Sequence, residues 1–427
     1  MNINKYITPS SRNVATLMSG TVISQIIAIL VSPILTRIYS PDDYGVFGVY
    51  ASIVGIVGVI ITLKFEVAIL LPKDNGKAIR LKNLTQRIVL IGSLLSLIIL
   101  VIFKNQILTI LNTPELGYWV LLTIISISSL GLFNLFNAML NRFKDYKAIV
   151  ASKISKTTGT TLSQLGVGFF NFGFVGLILG KVVGDIISLI TSKVLLNRNS
   201  VYSAEVKHTE NSSNWNKLVN EYQEFPKVTV PRALLNTMTS NFPIFILSAF
   251  FLSSVVGNFT QSLKVIYLPV TIIGASAYEV FSKKVTEVYN SGQSIYNISI
   301  KTAIRLSILG FIPFLTLTIF APKIFAFVFG IEWYDAGRYT QLLAPYLYLV
   351  FITSPLAYLP ILLDQQKKAL IIDLVHLILR VFTLFIGVLF NKSDLAIGLL
   401  SLAGLMVVSY TLFWFLQIAK NIHNLND

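Results

Sequence analysis

Residues 148–170 read AIVASKISKTTGTTLSQLGVGFF, and the fold turns on whether this stretch crosses a membrane. Its ends are apolar and its length suits a hydrocarbon core about 30 Å thick, which takes roughly 20 helical residues at ~1.5 Å each. Its middle carries Lys153 and Lys156 one helical turn apart, among a run of hydroxyls. Lys153, Lys156, Thr160 and Gln164 fall at i, i+3, i+7 and i+11, a single helical face, with Ile154, Leu162 and Leu165 on the other. The segment therefore reads as an amphipathic span whose polar face is turned away from lipid.

The rest of the chain supports a polytopic membrane protein. Of 427 residues, 54% are hydrophobic and only 12% charged, against the roughly 25% charged expected of a soluble domain. Twelve spans are predicted, near 14–36, 44–70, 84–103, 117–140, 149–170, 174–196, 226–250, 256–282, 300–321, 339–362, 368–390 and 395–419. Cysteine is absent, which excludes disulfides, thiolate zinc sites and cysteine nucleophiles, and the three histidines (His208, His376, His423) are too few for most histidine-rich metal centres. The polar start of the chain, with Lys5 and Arg12, is not that of a cleavable signal peptide.

The formal charge of +15 is first a topology signal here and not a sign of nucleic acid. Lys73, Lys77, Arg80, Lys82, Arg142, Lys144, Lys147, Lys283, Lys284, Lys367 and Lys368 all fall in loops of one side. The other side holds little beyond Arg37, Lys104, Lys323, Arg338 and Lys392. The basic side is expected to be cytoplasmic, with both termini there.

A longer polar segment, 197–225, is expected to be a cytoplasmic linker between bundles at 1–196 and 226–427. The halves echo one another. Lys147-Ala148 precedes Gly166-Val167 by nineteen residues, as Lys368-Ala369 precedes Gly387-Val388; Gly176-Leu177 recurs as Gly398-Leu399, and Glu66-Val67 as Glu279-Val280. These offsets predict two pseudo-symmetric six-helix bundles around a central cationic cavity, an architecture suited to alternating access.

Within the predicted spans lie eight cations, Lys64, Lys153, Lys156, Lys181, Arg232, Lys264, Arg305 and Arg380, against four anions, Glu66, Asp185, Glu279 and Asp373. Each costs roughly 2.5–3.5 kcal/mol at mid-membrane on insertion scales, so each should face a cavity or a partner. Besides the face of 149–170, Arg232, Asn236 and Ser240 stack at i, i+4, i+8, and Asp373, His376, Arg380 and Thr383 share a face. Snorkelling is the alternative for Lys153, Arg232 and Arg305. Lys181 and Asp185, four apart, suit a local ion pair. Lys64 and Glu66, two apart, are expected on different faces, either serving the cavity or marking the inner end of a long helix.

Two stretches, LTRIYSPDDYGVFGVYASIVGIVGVIITLKFEVAILLPKDNGKA and FGIEWYDAGRYTQLLAPYLYLVFITSPLAYLPILLDQQKKAL, resemble the Wzx-type oligosaccharide flippases of the superfamily that includes the MATE exporters. The resemblance rests on Arg37, Tyr39, Pro41, Tyr44, Gly45, Glu66 and Pro72 in the first, and on Glu332, Trp333, Ala336, Gly337, Pro345, Ser354 and Pro355 in the second. It implies transport of an undecaprenyl-pyrophosphate-linked repeat unit to the outer leaflet of a bacterial inner membrane, for O-antigen, capsule or a related polymer. A polymerase and chain-length machinery are the implied protein partners, and nucleic acid is not among the expected ones. Lys153, Lys156, Arg232 and Arg380, with Lys64 and Lys264, are then the expected cations of the substrate cavity, lined also by Thr160, Gln164 and Asn236. Arg37 and Tyr39 are expected to pack helix ends.

No nucleotide-binding loop of the GxxxxGK[ST] type occurs, so ATP hydrolysis by this chain is not expected; the chain reads as a transporter and not an enzyme, with no cofactor besides a coupling proton or sodium ion. Asp373 and His376 first, then Glu66 and Asp185, are the candidates for proton or sodium coupling. A MATE-like drug exporter, a polysaccharide polymerase or ligase, and a scaffold are the rival readings. The basic cavity argues against the first, the short external loops against the second, and the cations within the spans against the third.

Overall fold

The structure, a computed structural model, describes residues 9–208 and 215–421; His423 and residues 209–214 of the linker lie outside it. The described residues are helical with no strand. In chain order the helices are α1 (Pro9–Ile38), α2 (Pro41–Ile60), α3 (Phe65–Ala68), α4 (Asn75–Ile110), α5 (Leu122–Arg142), α6 (Tyr146–Gly168), α7 (Phe174–Arg198), α8 (Ser200–His208), α9 (Trp215–Glu221) and α10 (Val230–Phe250). They continue as α11 (Ser253–Pro269), α12 (Ala275–Asn290), α13 (Tyr296–Phe329), α14 (Tyr334–Thr353), α15 (Leu359–Leu362), α16 (Gln366–Leu389) and α17 (Ser393–Asn421).

Among the described residues ten helical stretches are long and apolar enough to cross a membrane, and an eleventh is the pair Ile331–Thr353 and Pro355–Leu362, bent by 48° at its break. The remaining expected span, 149–170, corresponds to α6, a continuous helix of 23 residues. Its polar stripe makes it less apolar than the others. The protein is thus an all-α, multi-pass membrane protein.

Contacts divide the chain into two compact units, Met1–Ala249 and Phe250–Asp427. Helix α10 therefore belongs to the first unit. The described residues of the 197–225 segment do not form a bare tether. Tyr202, Leu218 and Tyr222 are buried in a cluster with Phe65, Leu81 and Leu140. Asn75 donates to Glu205 at 2.9 Å, Lys77 pairs with Glu221, and the Arg87 guanidinium lies 4.5 Å from the Trp215 ring centre. The segment is stapled to the basic end of α4.

The α1–α2 corner follows directly from its sequence. Ser40 caps α2 in a reciprocal box with Asp43, and Pro41 occupies the first turn, where its missing N–H costs nothing. Tyr39 is buried and donates its hydroxyl to the Gln164 carbonyl at 2.6 Å. Burial, with the nearby charge of Asp43, pushes this phenol up to about 12, so it stays a donor. It locks the corner onto α6.

The continuous span predicted over 44–70 is broken. Helix α2 stops at Ile60, and Leu63 and Lys64 take positive φ values of 49° and 60° before α3 begins. Arg142 holds the far side of the break, donating to the Ile69 carbonyl at 2.9 Å and to Asn75 Oδ1 at 3.0 Å. A side chain that sequence reading counted only as a topology charge thus satisfies backbone left over by the interruption.

Candidate functional site: a lysine–aspartate cluster and three polar stripes

Helix α7 carries Gly176, Gly180 and Gly184 at four-residue spacing, a small-residue seam that lets helices meet backbone to backbone. A Cβ on Gly180 would stand 2.8 Å from the Gln164 amide nitrogen, and one on Gly184 would stand 2.8 Å from both the Lys156 carbonyl and the Thr160 amide nitrogen. On the other side of α6, Gly20 of α1 lies against Val150. Helix α6 is therefore clasped between α1 and α7, and its register is fixed where the charges lie.

That register brings Lys156 to Asp185. The Lys156 ammonium is 2.8 Å from Asp185 Oδ1, and Lys181 donates to Oδ2 at 3.0 Å. The carboxylate is sealed at 0% exposure while the two lysine side chains keep 26% and 18%. One buried acid thus holds two partly accessible cations, leaving one net positive charge. Lys156 also lies 5.2 Å from the Phe133 ring centre, a cation–π contact. Lys153, half-buried one turn away, donates to the Thr21 hydroxyl at 3.2 Å. The expected Lys181–Asp185 pair is present, and Lys156 joins it.

The other positions expected on the α6 face lie differently. Gln164 is buried, donating Nε2 to the Leu177 carbonyl at 3.1 Å, and Thr160 packs against Gly184. Both belong to the α6–α7 seam and not to an open wall. Among the described residues of α10, by contrast, Arg232, Asn236 and Ser240 are all exposed, so this stripe is an accessible polar face.

At the break after α2, Lys64 and Glu66 are not on opposite faces. The left-handed turn brings Lys64 Nζ to 3.6 Å from Glu66 Oε1. Glu66 is buried, and its Oε2 has no hydrogen-bond partner among the described residues. An apolar cavity of about 760 Å3 opens nearby in the same unit, lined by Ile53, Ile61, Ile88, Leu95, Ile127 and Phe245 among others.

In the second unit Lys264 is exposed on α11. On α16, Arg380 donates Nε to His376 Nε2 at 3.1 Å and also bonds the Tyr346 hydroxyl of α14. Because guanidinium only donates, the accepting Nε2 carries no proton in this arrangement and His376 is the neutral Nδ1–H tautomer. Asp373 is exposed, and His376 accepts from Arg380 one turn further along the helix. Tyr346 and Phe133 escaped sequence reading because aromatic residues in apolar spans carry no mark of a cation partner. The α7 glycine seam was present as a signal and would have predicted the α6–α7 packing.

The profile of the polysaccharide biosynthesis protein family matches residues 34–338. The chain belongs to that family. No match was found among curated protein sequences. Among solved structures, this family member is similar to an inward-facing multidrug resistance MATE transporter of the MOP superfamily, with TM-score 0.75, 13% identity, and 94% of this chain and 96% of that chain covered. It is similar also to the lipid II flippase MurJ in an inward closed conformation, with TM-score 0.73, 12% identity and coverage of 95% and 90%. A third is a MOP superfamily transporter from Pyrococcus furiosus whose reversed binding-pocket polarity suggests a different function, with TM-score 0.57, 14% identity and 96% of each chain covered. At these identities the likeness establishes the fold, that of MOP-superfamily transporters and flippases.

Proposed function

We propose that the protein flips an undecaprenyl-pyrophosphate-linked oligosaccharide repeat unit from the cytoplasmic to the outer leaflet, by alternating access, for surface polysaccharide biosynthesis. Membership of a polysaccharide biosynthesis family and a fold shared with a lipid flippase support a lipid-linked cargo. The observation that carries the reading is the cationic cluster of α6 and α7. Three ammonium groups, Lys153, Lys156 and Lys181, stand against the single carboxylate of Asp185, leaving two net positive charges.

A lipid diphosphate is at least a dianion, and lysines are mobile point charges that can follow it through a conformational change. Asp185 lowers the cost of keeping two lysines out of water while no substrate is present. The accessible stripe Arg232–Asn236–Ser240 suits phosphate and sugar hydroxyls, and Arg380, Lys264 and Lys64 are further cations for the same task. The apolar cavity near Ile61 suits part of a polyprenyl chain. Both termini are assigned to the cytoplasm by the basic loops.

For gradient coupling, Asp373 and His376 remain candidates with Asp185 and Glu66. The buried, unsatisfied Glu66 Oε2 makes Glu66→Gln the first substitution to test. Loss of gradient dependence with retained protein would support that role, and an unchanged dependence would remove it. The cationic cluster of α6 and α7 disfavours organic cations as cargo, which separates this reading from the drug exporter. The experiment is analysis of polyprenyl-linked glycans and surface polymer in a strain lacking the protein. Accumulated complete repeat units with loss of polymer are expected. Unchanged glycans with altered drug tolerance would overturn the proposal in favour of an exporter, and unpolymerised single units outside the cell would overturn it in favour of a polymerase.

A further inference from the structure

Helices α12 and α13 are antiparallel, joined by the turn at residues 291–295, and between their turn-side ends lies a groove of about 620 Å3. Val280, Lys284 and Val288 of α12 line one wall at i, i+4, i+8; Asn297, Lys301 and Arg305 of α13 line the other with the same spacing. Three cations therefore face one groove that lies wholly within the second unit. All three are exposed.

Their charge is not used locally. The one acid drawn into an ion pair on α12, Glu279, is taken by Lys283 at 3.0 Å, outside the groove. Among the described residues no carboxylate stands within ion-pair distance of Lys284, Lys301 or Arg305. Phe281, Ile298 and Leu306 add an apolar lining. The flank is more apolar still, with Val280 68%, Ile304 51% and Ile308 71% exposed, as suits a surface covered by hydrocarbon. A site with three cations beside a lipid-facing wall fits an amphiphile with an anionic head.

We infer that this groove holds the headgroup of an anionic glycerophospholipid from the leaflet on the basic side of the protein. Arg305 and the two lysines meet its phosphate, and an acyl chain runs along Val280 and Ile304. Zwitterionic lipids fit less well, because their own ammonium or choline group opposes three cations in one groove. The inference does not depend on which cargo the protein carries.

The test uses the full chain purified in mixed detergent micelles containing phosphatidylglycerol and phosphatidylcholine, with retained lipid counted by native mass spectrometry. The wild type should retain phosphatidylglycerol selectively. Each of Lys284→Gln, Lys301→Gln and Arg305→Gln should lower retention about five-fold, the factor expected per basic residue at an anionic surface, and the triple variant should abolish it. Lys73→Gln/Lys283→Gln/Lys367→Gln removes the same charge elsewhere and should leave retention unchanged. Lys284→Arg/Lys301→Arg, which keeps the charge, should bind as the wild type does and guards against misfolding as the explanation. Undiminished retention in the triple glutamine variant would overturn the inference, as would equal retention of phosphatidylcholine by the wild type. Displacement of phosphatidylglycerol by undecaprenyl diphosphate, with loss of that lipid in the triple variant, would assign the groove to polyprenyl lipids and equally overturn it.

Discussion

Helices α6 and α16 carry comparable polar faces, Lys153/Lys156/Thr160 and Asp373/His376/Arg380, with the same internal spacing. Their surroundings differ. Helix α6 is clasped by α1 and α7, and its Lys156 shares a sealed carboxylate with Lys181. Helix α16 packs mainly along α17, half of its apolar side chains are exposed, and Arg380 is held by a tyrosine hydroxyl and a neutral imidazole. The same stripe is thus built once as a packed, charge-compensated element and once as an open one. The neighbour decides which: α7 presents Gly180 and Gly184 to the charged part of α6, whereas the single glycine of α16, Gly387, meets Ala396 near the far end of the helix.

The largest expected effect tests that packing. Gly184→Leu must push α6 away from α7, since even its Cβ meets backbone at 2.8 Å, and we expect a loss of about 3 kcal/mol or more in a detergent melting experiment. Gly398→Leu on α17 meets only the Leu342 side chain at 4.0 Å and should leave the melting temperature nearly unchanged. Equal shifts would break the comparison.

Charge comes next. Asp185→Ala leaves two lysines without their shared acid and should cost about 3 kcal/mol, the low end for a broken buried pair because both lysines keep partial exposure. The triple replacement Lys156→Met/Asp185→Leu/Lys181→Met should recover most of that stability yet abolish transport, because it removes charge and desolvation cost together. Recovery of transport with stability would mean that the cluster only packs helices. Arg380→Ala should cost less, about 1–3 kcal/mol, chiefly by removing the guanidinium hydrogen bonds to the buried Tyr346 hydroxyl and to His376. A loss as large as that of Asp185→Ala would show that α16 is as firmly held as α6.

The smallest effect sharpens the role of His376. His376→Gln keeps an acceptor for Arg380 Nε and should hold both stability and transport near wild type, while His376→Leu should lower transport. If His376→Gln abolishes gradient-driven transport at normal protein levels, the imidazole carries a proton and is more than an acceptor.

Much of the fold was legible because span length and apolarity are local properties. The all-α, multi-pass character and the i, i+4 contact Lys181–Asp185 belong to this class. The break after Ile60 was hidden, since Leu63 and Lys64 are not residues that announce a left-handed turn, and with it the meeting of Lys64 and Glu66 was hidden too. Lys156–Asp185 spans two helices, so it depends on a register that only the glycine seam fixes. Thr160 and Gln164 share the lysine face in sequence, but a polar face four residues deep can serve both an opening and a seam, and these two fall in the seam.

The most direct test of the central claim is complementation of a strain lacking the protein with Lys153→Ala/Lys156→Ala, measuring surface polysaccharide, lipid-linked repeat units and membrane abundance together. Loss of surface polymer with accumulated repeat units, at wild-type abundance, is the predicted result. Normal polymer at wild-type abundance would contradict it and leave the cluster a structural element alone.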